Sequence, residues 1–193
     1  MLKTSLAIAI VTTVAMGGVT AVTSAQTTHH ATPTVSLASS HSAALDDPTI
    51  VAIFDVANTW DIQLGHLALK KSSNKDVRTF ADMMVRDHTA ARQLGRNLAH
   101  KLSVTPTPPG PDFPLAKDHV ATLAKLNGLS GAAFDKAYID HEVWYHQAVI
   151  DAMTNTLMPA TKNAELKDLE VKVAPNFQAH LADAKVIQAK LDK

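Results

Sequence analysis

The stretch SNKDVRTFADMMVRDHTAARQLGRNLAHKL, residues 73–102, carries its apolar residues at the spacing of a single helix face. These residues are Val77, Phe80, Ala81, Met84, Ala91, Leu98 and Leu102. His88 takes the place on this face where the next apolar residue is expected. The stretch therefore predicts a long helix that turns a titratable ring toward the interior of the protein.

The preceding segment predicts a helix of the same kind. It starts at Asp47-Pro48, a cap residue followed by proline at the first helical position, and it ends near Lys71. Asp61 lies within its apolar face. Ser73 and Asp76 have the spacing of a capping box for the helix that follows. The turn between the two helices is short, so we expect them to be antiparallel neighbours.

Two later segments complete a set of four long helices. The third helix is predicted over 130–157, with Ser130 as its cap and with Glu142 and His146 one turn apart on its apolar side. The fourth is predicted over 163–191, with His180 beside its apolar seam.

Prolines separate the second long helix from the third. Residues 103–114, SVTPTPPGPDFP, contain five of the nine prolines and cannot be helical. A short amphipathic helix is predicted over 115–126, and the pattern leaves open whether residues 103–129 form a lid or a side crossover. Pro175 should kink the fourth helix. The fold prediction is an all-α four-helix bundle with a short extra helix in the connection between helices two and three.

The N-terminus predicts export. Residues 1–25 have an early Lys3, an uncharged run from residue 5 to 22, and Thr-Ser-Ala at the end, the pattern of a signal peptide cleaved after Ala25. A retained anchor is disfavoured because Thr and Gly dilute the run, which is short for a membrane span. Residues 26–46, rich in Thr, Ser, Ala and His, predict a disordered linker, and 47–193 the bundle domain. We expect a periplasmic or extracellular protein without a further membrane span.

Composition excludes several classes of site. The chain has no cysteine, so disulfides and thiolate metal ligands are excluded. Removing Lys3 from 18 basic residues leaves 17 against 18 acidic ones, a net charge of −1 with histidine neutral. This balance argues against nucleic acid or an anionic membrane surface as a partner. A protein partner and self-association both stay open.

Six polar residues on the predicted inner faces form the candidate site: Asp61, Asp87, His88, Glu142, His146 and His180. Imidazoles with carboxylates suit zinc, copper, iron or manganese. The alternative is that these groups hydrogen-bond to one another and set the helix register. The chain has no Glu-x-x-His motif, which argues against di-iron ferroxidase chemistry, and it has no nucleophile-and-base set. The sequence favours the structural, non-enzymatic role, in envelope stress or in protein interactions, over the metal site, and it leaves a small-molecule pocket between the helices as a third alternative.

The helical rise predicts where these groups lie along the bundle. At about 1.5 Å per residue from the two turns, His88 and His146 lie level at about 22–23 Å. Asp61 is expected at about 17 Å, and His180 and Glu142 at about 28 Å. Asp61 and His180 should therefore each be one turn away from the level pair. The remaining helical histidines are expected on solvated or rim faces: His66, His100, His119 and His141.

Four segments resemble a known family: WDIQLGHLALKKS at 60–72, VRTFADMMVRDH at 77–88, FDKAYID at 134–140 and PNFQAHL at 175–181. They are similar to the exported bacterial family catalogued as domain of unknown function 4142. Its members are often labelled outer membrane proteins and are assigned a ferritin-like bundle. The resemblance covers about residues 50–191, and it implies a fold and a compartment but no reaction.

The resemblance also places individual residues. The family's Asp-His pair falls on Asp87 and His88, and its later histidines fall on His146 and His180. The family usually has Glu where this chain has Asp61, and commonly a second Glu at the position of Gln63.

Overall fold

A computed structural model describes residues 45–110 and 113–193, and this part of the chain is helical with no strand. The helices are α1 Asp47–Lys71, α2 Lys75–Lys101, α3 Pro114–Gly128, α4 Gly131–Ala152, α5 Met158–Ala160 and α6 Ala164–Leu191. A π-helical turn, Met153–Leu157, joins α4 to α5. The predicted signal peptide and nearly all of the predicted linker lie outside the described residues.

The four long helices contact one another in a closed order. α1 packs on α2, α2 on α6, α6 on α4, and α4 on α1, while α3 lies against α4. Gly65 lets α1 and α2 approach closely, because a Cβ atom there would lie 2.8 Å from Val85 Cγ2 and 3.1 Å from the Ala81 carbonyl oxygen. Among the helices of the described residues, none combines the length and the apolar character that a membrane span requires.

The first helix begins where the sequence predicted, but its cap is a different residue. The Asp46 side chain accepts a hydrogen bond from the Thr49 amide at 3.0 Å. The predicted cap, Asp47, is instead the first residue of α1, and its carboxylate accepts from the backbone amides of Lys162 at 2.8 Å and Asn163 at 2.9 Å. The second of two adjacent aspartates thus ties the start of α1 to the start of α6.

The starts of the other long helices agree with the prediction in position more than in chemistry, whereas α4 ends before its predicted position, where the π-helical turn begins. Asn74, not Ser73, caps α2 and accepts from the backbone amides of the first turn. Ser130 is the residue before α4, but its side chain makes no capping hydrogen bond. Asn163 caps α6, and this helix continues through Pro175.

The interior divides into two apolar clusters, which we call core A and core B. Core A comprises Ile50, Val51, Ile53, Ala99, Phe113, Leu115, Tyr145, Met153, Leu157, Leu166, Leu169, Val173 and Phe177. Core B comprises Leu64, Ala68, Val77, Phe80, Ala81, Met84, Leu126, Phe134, Tyr138, Ile139, Ala184 and Ile187. Each long helix carries a buried polar residue between its members of the two sets: Asn58 and Asp61 on α1, His88 on α2, Glu142 on α4 and His180 on α6.

Helix α3 crosses α1 and α4 and covers part of both cores. His119 stacks on Trp60 with ring centres 5.1 Å apart, and its Nε2 lies 3.0 Å from the side-chain oxygen of Gln63. Thr122 lies 3.3 Å from His141 Nδ1 on the α4 side. These contacts hold the connection between α2 and α4 over the bundle.

Candidate metal centre

Three histidine rings from three helices meet between the two cores. His88 comes from α2, His146 from α4 and His180 from α6, and their relative exposures are 3%, 2% and 3%. The ring centre of His88 lies 5.5 Å from that of His146 and 5.2 Å from that of His180, and the ring centres of His146 and His180 are 5.5 Å apart. Each ring offers one nitrogen, and these three nitrogens all lie within 4.8 Å of one another. We call these residues the triad.

The hydrogen bonds of Asn58 determine the tautomer of His88. The Asn58 side-chain amide donates to the Phe54 carbonyl at 2.7 Å, so the other end of the amide must be its oxygen. That oxygen lies 2.9 Å from His88 Nδ1 and can only accept. Nδ1 of His88 therefore carries the hydrogen, and Nε2 of the neutral ring bears a free lone pair.

The same reasoning applies to the other two rings. His146 Nδ1 lies 3.0 Å from the backbone oxygen of Glu142, which can only accept. His180 Nε2 lies 3.1 Å from Oδ2 of Asp87, a carboxylate. Each of these nitrogens therefore donates, which leaves the lone pair of the neutral ring on His146 Nε2 and on His180 Nδ1.

The three lone-pair nitrogens are also the ones without partners. His88 Nε2, His146 Nε2 and His180 Nδ1 are buried and have no hydrogen-bond partner among the described residues. Leaving a buried acceptor unsatisfied costs about 1–3 kcal/mol. Three such acceptors on neighbouring rings are the arrangement that a bound cation would satisfy.

Burial favours the neutral form of two of the rings. Burial lowers the pKa of His88 well below its usual value, and the charges of His146 and His180 lower it further. Burial and the charge of His146 also lower the pKa of His180, although Asp87 opposes the shift. At neutral pH these two imidazoles are therefore unprotonated, the state in which histidine binds a metal.

His146 behaves differently because carboxylates surround it. Burial lowers its pKa, but the nearby Glu142 carboxylate and the charge of Asp61 outweigh burial and raise the pKa overall. Its Nδ1 lies 3.4 Å from Glu142 Oε2. A metal ion would therefore take the place of a proton on this ring.

A second group of possible ligands shares His146 with the triad. Asp61, Glu142 and His146 each offer an atom within 4.8 Å of the others. Asp61 is 3% exposed and Glu142 is fully buried, and both side-chain oxygens of Glu142 lack a hydrogen-bond partner among the described residues. Burial raises the pKa of the Asp61 carboxyl well above its usual value. The Tyr138 hydroxyl is also buried without a partner in this part of the chain.

All six predicted site residues lie in this region, but two predicted heights were wrong. Asp61 and His180 were each expected one turn away, whereas Asp61 Oδ2 lies 3.4 Å from His88 Nδ1 and His180 belongs to the triad. The heights were counted between Cα atoms, while side chains lean toward the N-terminus of their own helix. In antiparallel neighbours this lean moves His146 away from its turn and His180 toward it, so the two side chains meet.

Sequence reasoning missed one residue of the site. Asn58 orients His88, and it lies one turn before Asp61 on the same helix face. A polar residue at that spacing on an apolar stripe was the available signal. The expectation for His119 was wrong, because it is 7% exposed and its ring stacks on Trp60, while His66 and His100 are exposed as predicted.

The donor set of the triad fits a zinc or copper ion. Three neutral imidazoles suit both metals, and each ring is oriented by an acceptor on its other nitrogen, as in many metal sites. Nitrogens on one tetrahedral zinc ion stand about 3.3 Å apart. The ring nitrogens of the triad, all within 4.8 Å of one another, are close enough for one such ion to bind all three after small side-chain adjustments.

Comparison with known proteins identifies the family of the chain. The family described as "Domain of unknown function (DUF4142)" matches residues 32–187. No curated protein and no solved structure shows significant similarity to the chain. The match spans most of the sequence, so the chain belongs to this DUF4142 family, whose function is unknown.

Proposed function

We propose that this protein binds a transition-metal ion, zinc or copper, through His88, His146 and His180. The observation that carries the proposal is a cluster of three buried imidazoles, each with a nitrogen that has no partner among the described residues and each offering a nitrogen within 4.8 Å of the others. A water molecule could donate to two of these nitrogens and accept from His146 only if that ring is protonated, and a shared proton could satisfy only two. A metal ion with three coordination positions directed at the rings satisfies all three.

The surroundings of the triad support a cation. Asn58, the Glu142 backbone oxygen and Asp87 hold the far nitrogens of the rings, which fixes the ring orientation and raises the basicity of the ligand. Asp61 and Glu142 add two buried carboxyl groups, and a bound cation would favour their ionised forms, which neutralise a divalent charge. Zinc and copper rank above manganese and iron because the affinity of a nitrogen site for divalent metals rises from manganese through iron to copper, with zinc close behind copper.

The structural alternative has some support in the same contacts. His88 Nδ1 lies 3.4 Å from Asp61 Oδ2, so the polar layer does connect α2 to α1. Within α4, His146 Nδ1 lies 3.4 Å from Glu142 Oε2. A purely structural layer, however, leaves the inner nitrogen of each ring unsatisfied. This difference reverses the order of the two hypotheses that the sequence alone favoured.

The wider proposal places this site in an exported, ferritin-like four-helix bundle. The N-terminal signal pattern and the family resemblance support export to the periplasm or beyond the cell. The closed order of contacts among α1, α2, α6 and α4 supports the bundle. We propose a metal-handling role without catalysis, since the described part of the chain brings no nucleophile to the triad.

Metal content of the untagged full chain tests the proposal. The protein is stripped with a chelator, loaded separately with zinc, copper, iron(II) and manganese, desalted, and measured by elemental analysis. We expect the wild type to bind one zinc or copper ion per chain and the His180→Gln variant to lose that ion. His100→Gln, the same substitution at an exposed histidine, should keep it.

The N-terminal histidines require their own control. His29, His30 and His41 are present in the wild type and in both variants, so metal bound there does not distinguish them. If His180→Gln and His88→Gln retain as much zinc and copper as the wild type, the metal hypothesis is wrong. The polar layer would then be structural.

A further inference from the structure

A cavity lies in core A beside the triad. It offers about 30 Å³ of space to the centres of water-sized molecules, whereas one water needs about 10–15 Å³. Its wall includes His88 and His146, two of the three triad residues. Any occupant of the cavity would therefore contact the proposed metal ligands.

Most of the wall is carbon surface contributed by several helices. Its apolar lining includes Phe54, Leu115, Val149, Met153, Leu157 and Phe177. Core interiors are normally packed with few voids larger than a water molecule. A retained space of this size, next to a polar cluster, is a candidate binding site.

The polar residues on the wall are Asn58, Asp61, His88, Tyr145 and His146, but almost all of the surface that lines the cavity is apolar. The amide of Asn58 uses its nitrogen for the Phe54 carbonyl and its oxygen for His88. The Tyr145 hydroxyl donates to the Ala57 carbonyl at 3.3 Å. A buried water needs two to four polar partners, and apolar cavities without them stay dry and take up apolar molecules.

The change of helix type in α4 helps to shape the cavity. The π-helical turn Met153–Leu157 contains one more residue per hydrogen-bonded ring than the α-helix before it, and both of its end residues line the cavity. Such turns inside α-helices are frequent at functional sites.

We propose that this cavity binds a small apolar molecule of the size of dioxygen, held against His88 and His146. The cavity site itself does not depend on the proposed metal. The proposal rests on the proposed function only for its second part, that the apolar molecule lies beside the metal site when the metal is bound. The two unpartnered nitrogens of His88 and His146 are then occupied by the metal, so the polar residues left on a mainly apolar wall are Asn58, Asp61 and Tyr145.

Xenon, an apolar atom of suitable size, is the probe. The full chain, labelled at Ile, Leu and Val methyl groups, is measured by NMR under increasing xenon pressure, first stripped of metal and then loaded with zinc. We expect saturable shifts at Ile53, Leu115 and Leu157, which belong to core A. The methyl groups of Leu64 and Val77 in core B should not shift and serve as the internal control.

A substitution that fills the cavity provides the matched test. Val149→Phe places a ring in the cavity and should abolish the shifts, whereas Val186→Phe, the same change at a residue that is 57% exposed, should leave them intact. If Val149→Phe does not fold, Ala152→Leu fills the cavity from the last residue of α4.

The outcomes separate this inference from the metal hypothesis. Xenon shifts in core A of the stripped protein support the cavity site whether or not metal binds. Persistence of the shifts with zinc supports a ligand beside the metal, and their loss on zinc binding overturns that placement. Absence of saturable shifts in core A, or equal shifts in both cores, overturns the site itself.

Discussion

Core A and core B are built from the same four long helices, yet their packing differs. Most side chains of core B have no exposed surface, whereas every member of core A retains some. The cavity lies in core A, and the triad lies between the two clusters. The comparison indicates that core B holds the helices together, while core A leaves room beside the polar layer.

A matched pair of leucines gives the largest expected effect on this comparison. Leu64 in core B is 1% exposed, and Leu157 in core A is 7% exposed and lines the cavity. Leucine-to-alanine substitutions in cores cost about 2–5 kcal/mol. We expect Leu64→Ala near the upper end and Leu157→Ala near the lower end, because Leu157 already lacks partner atoms on one side.

Urea unfolding of the two variants and the wild type measures this difference. Equal losses in the free energy of unfolding, or a larger loss for Leu157→Ala, would show that core A is packed as tightly as core B.

Metal loading should stabilise the layer between the cores. A ligand that binds only the folded state at a free concentration of about 100 times its Kd adds about 2.7 kcal/mol to the free energy of unfolding. We expect this increment from zinc in the wild type and in His100→Gln, and its absence in His180→Gln. Unfolding by urea with and without zinc measures it, and equal stabilisation of all three proteins would exclude the triad as the cause.

Two buried glycines should respond differently to alanine, with smaller effects. At Gly65 a methyl group meets the Ala81 backbone at 3.1 Å, and at Gly95 it meets the Phe54 ring at 2.7 Å. Overpacking costs about 1–3 kcal/mol, against a gain of about 1 kcal/mol in helix propensity. We expect a net loss for Gly65→Ala and almost no change for Gly95→Ala, because Phe54 lines the cavity and can move into it.

The midpoints of urea unfolding compare the two glycine variants directly. If the free energy of unfolding falls as much for Gly95→Ala as for Gly65→Ala, the Phe54 ring does not move into the cavity.

The smallest effect concerns how α3 is held at low pH. Burial, followed by the charge of His141, lowers the pKa of His119 to about 4 from an ordinary value of 6.5. The neutral ring therefore stabilises the fold fully above pH 6.5, and this contribution is lost as the pH falls from 6.5 toward 4. His119→Gln should accordingly lose less stability than the wild type between pH 7.5 and pH 4.5.

The exposed His66 supplies the control for this pH profile, since His66→Gln should lose stability with pH as the wild type does. An unchanged profile for His119→Gln would show that His119 does not titrate with folding.

Much of the fold could be predicted because helical periodicity depends on burial alone. The start and end of α1 match the prediction, since Pro48 and the polar residues after Lys71 bound the apolar pattern. The sequence could not predict which aspartate caps α1, because Asp46 and Asp47 are chemically alike and only the geometry of the first helical turn distinguishes them. The π-helical turn at 153–157 leaves no signal in the periodicity.

The candidate site was predictable in its residues but not in its connections. His88, His146 and His180 were identified because each interrupts or borders an apolar stripe. Their meeting depends on side-chain lean and on the pairing of α2 with α6, which a single helix pattern does not contain. The role of Asn58 depends on a contact with a residue 30 positions away.

The most direct test of the central claim is the nitrogen NMR spectrum of the histidine side chains, recorded without metal and with zinc. We expect neutral His88 and His180 to carry hydrogen on Nδ1 and Nε2, respectively, and zinc to shift His88 Nε2, His146 Nε2 and His180 Nδ1. Zinc-induced shifts confined to other histidines, or hydrogen on the inward nitrogens of neutral His88 and His180, would contradict the claim that three lone pairs form a metal site.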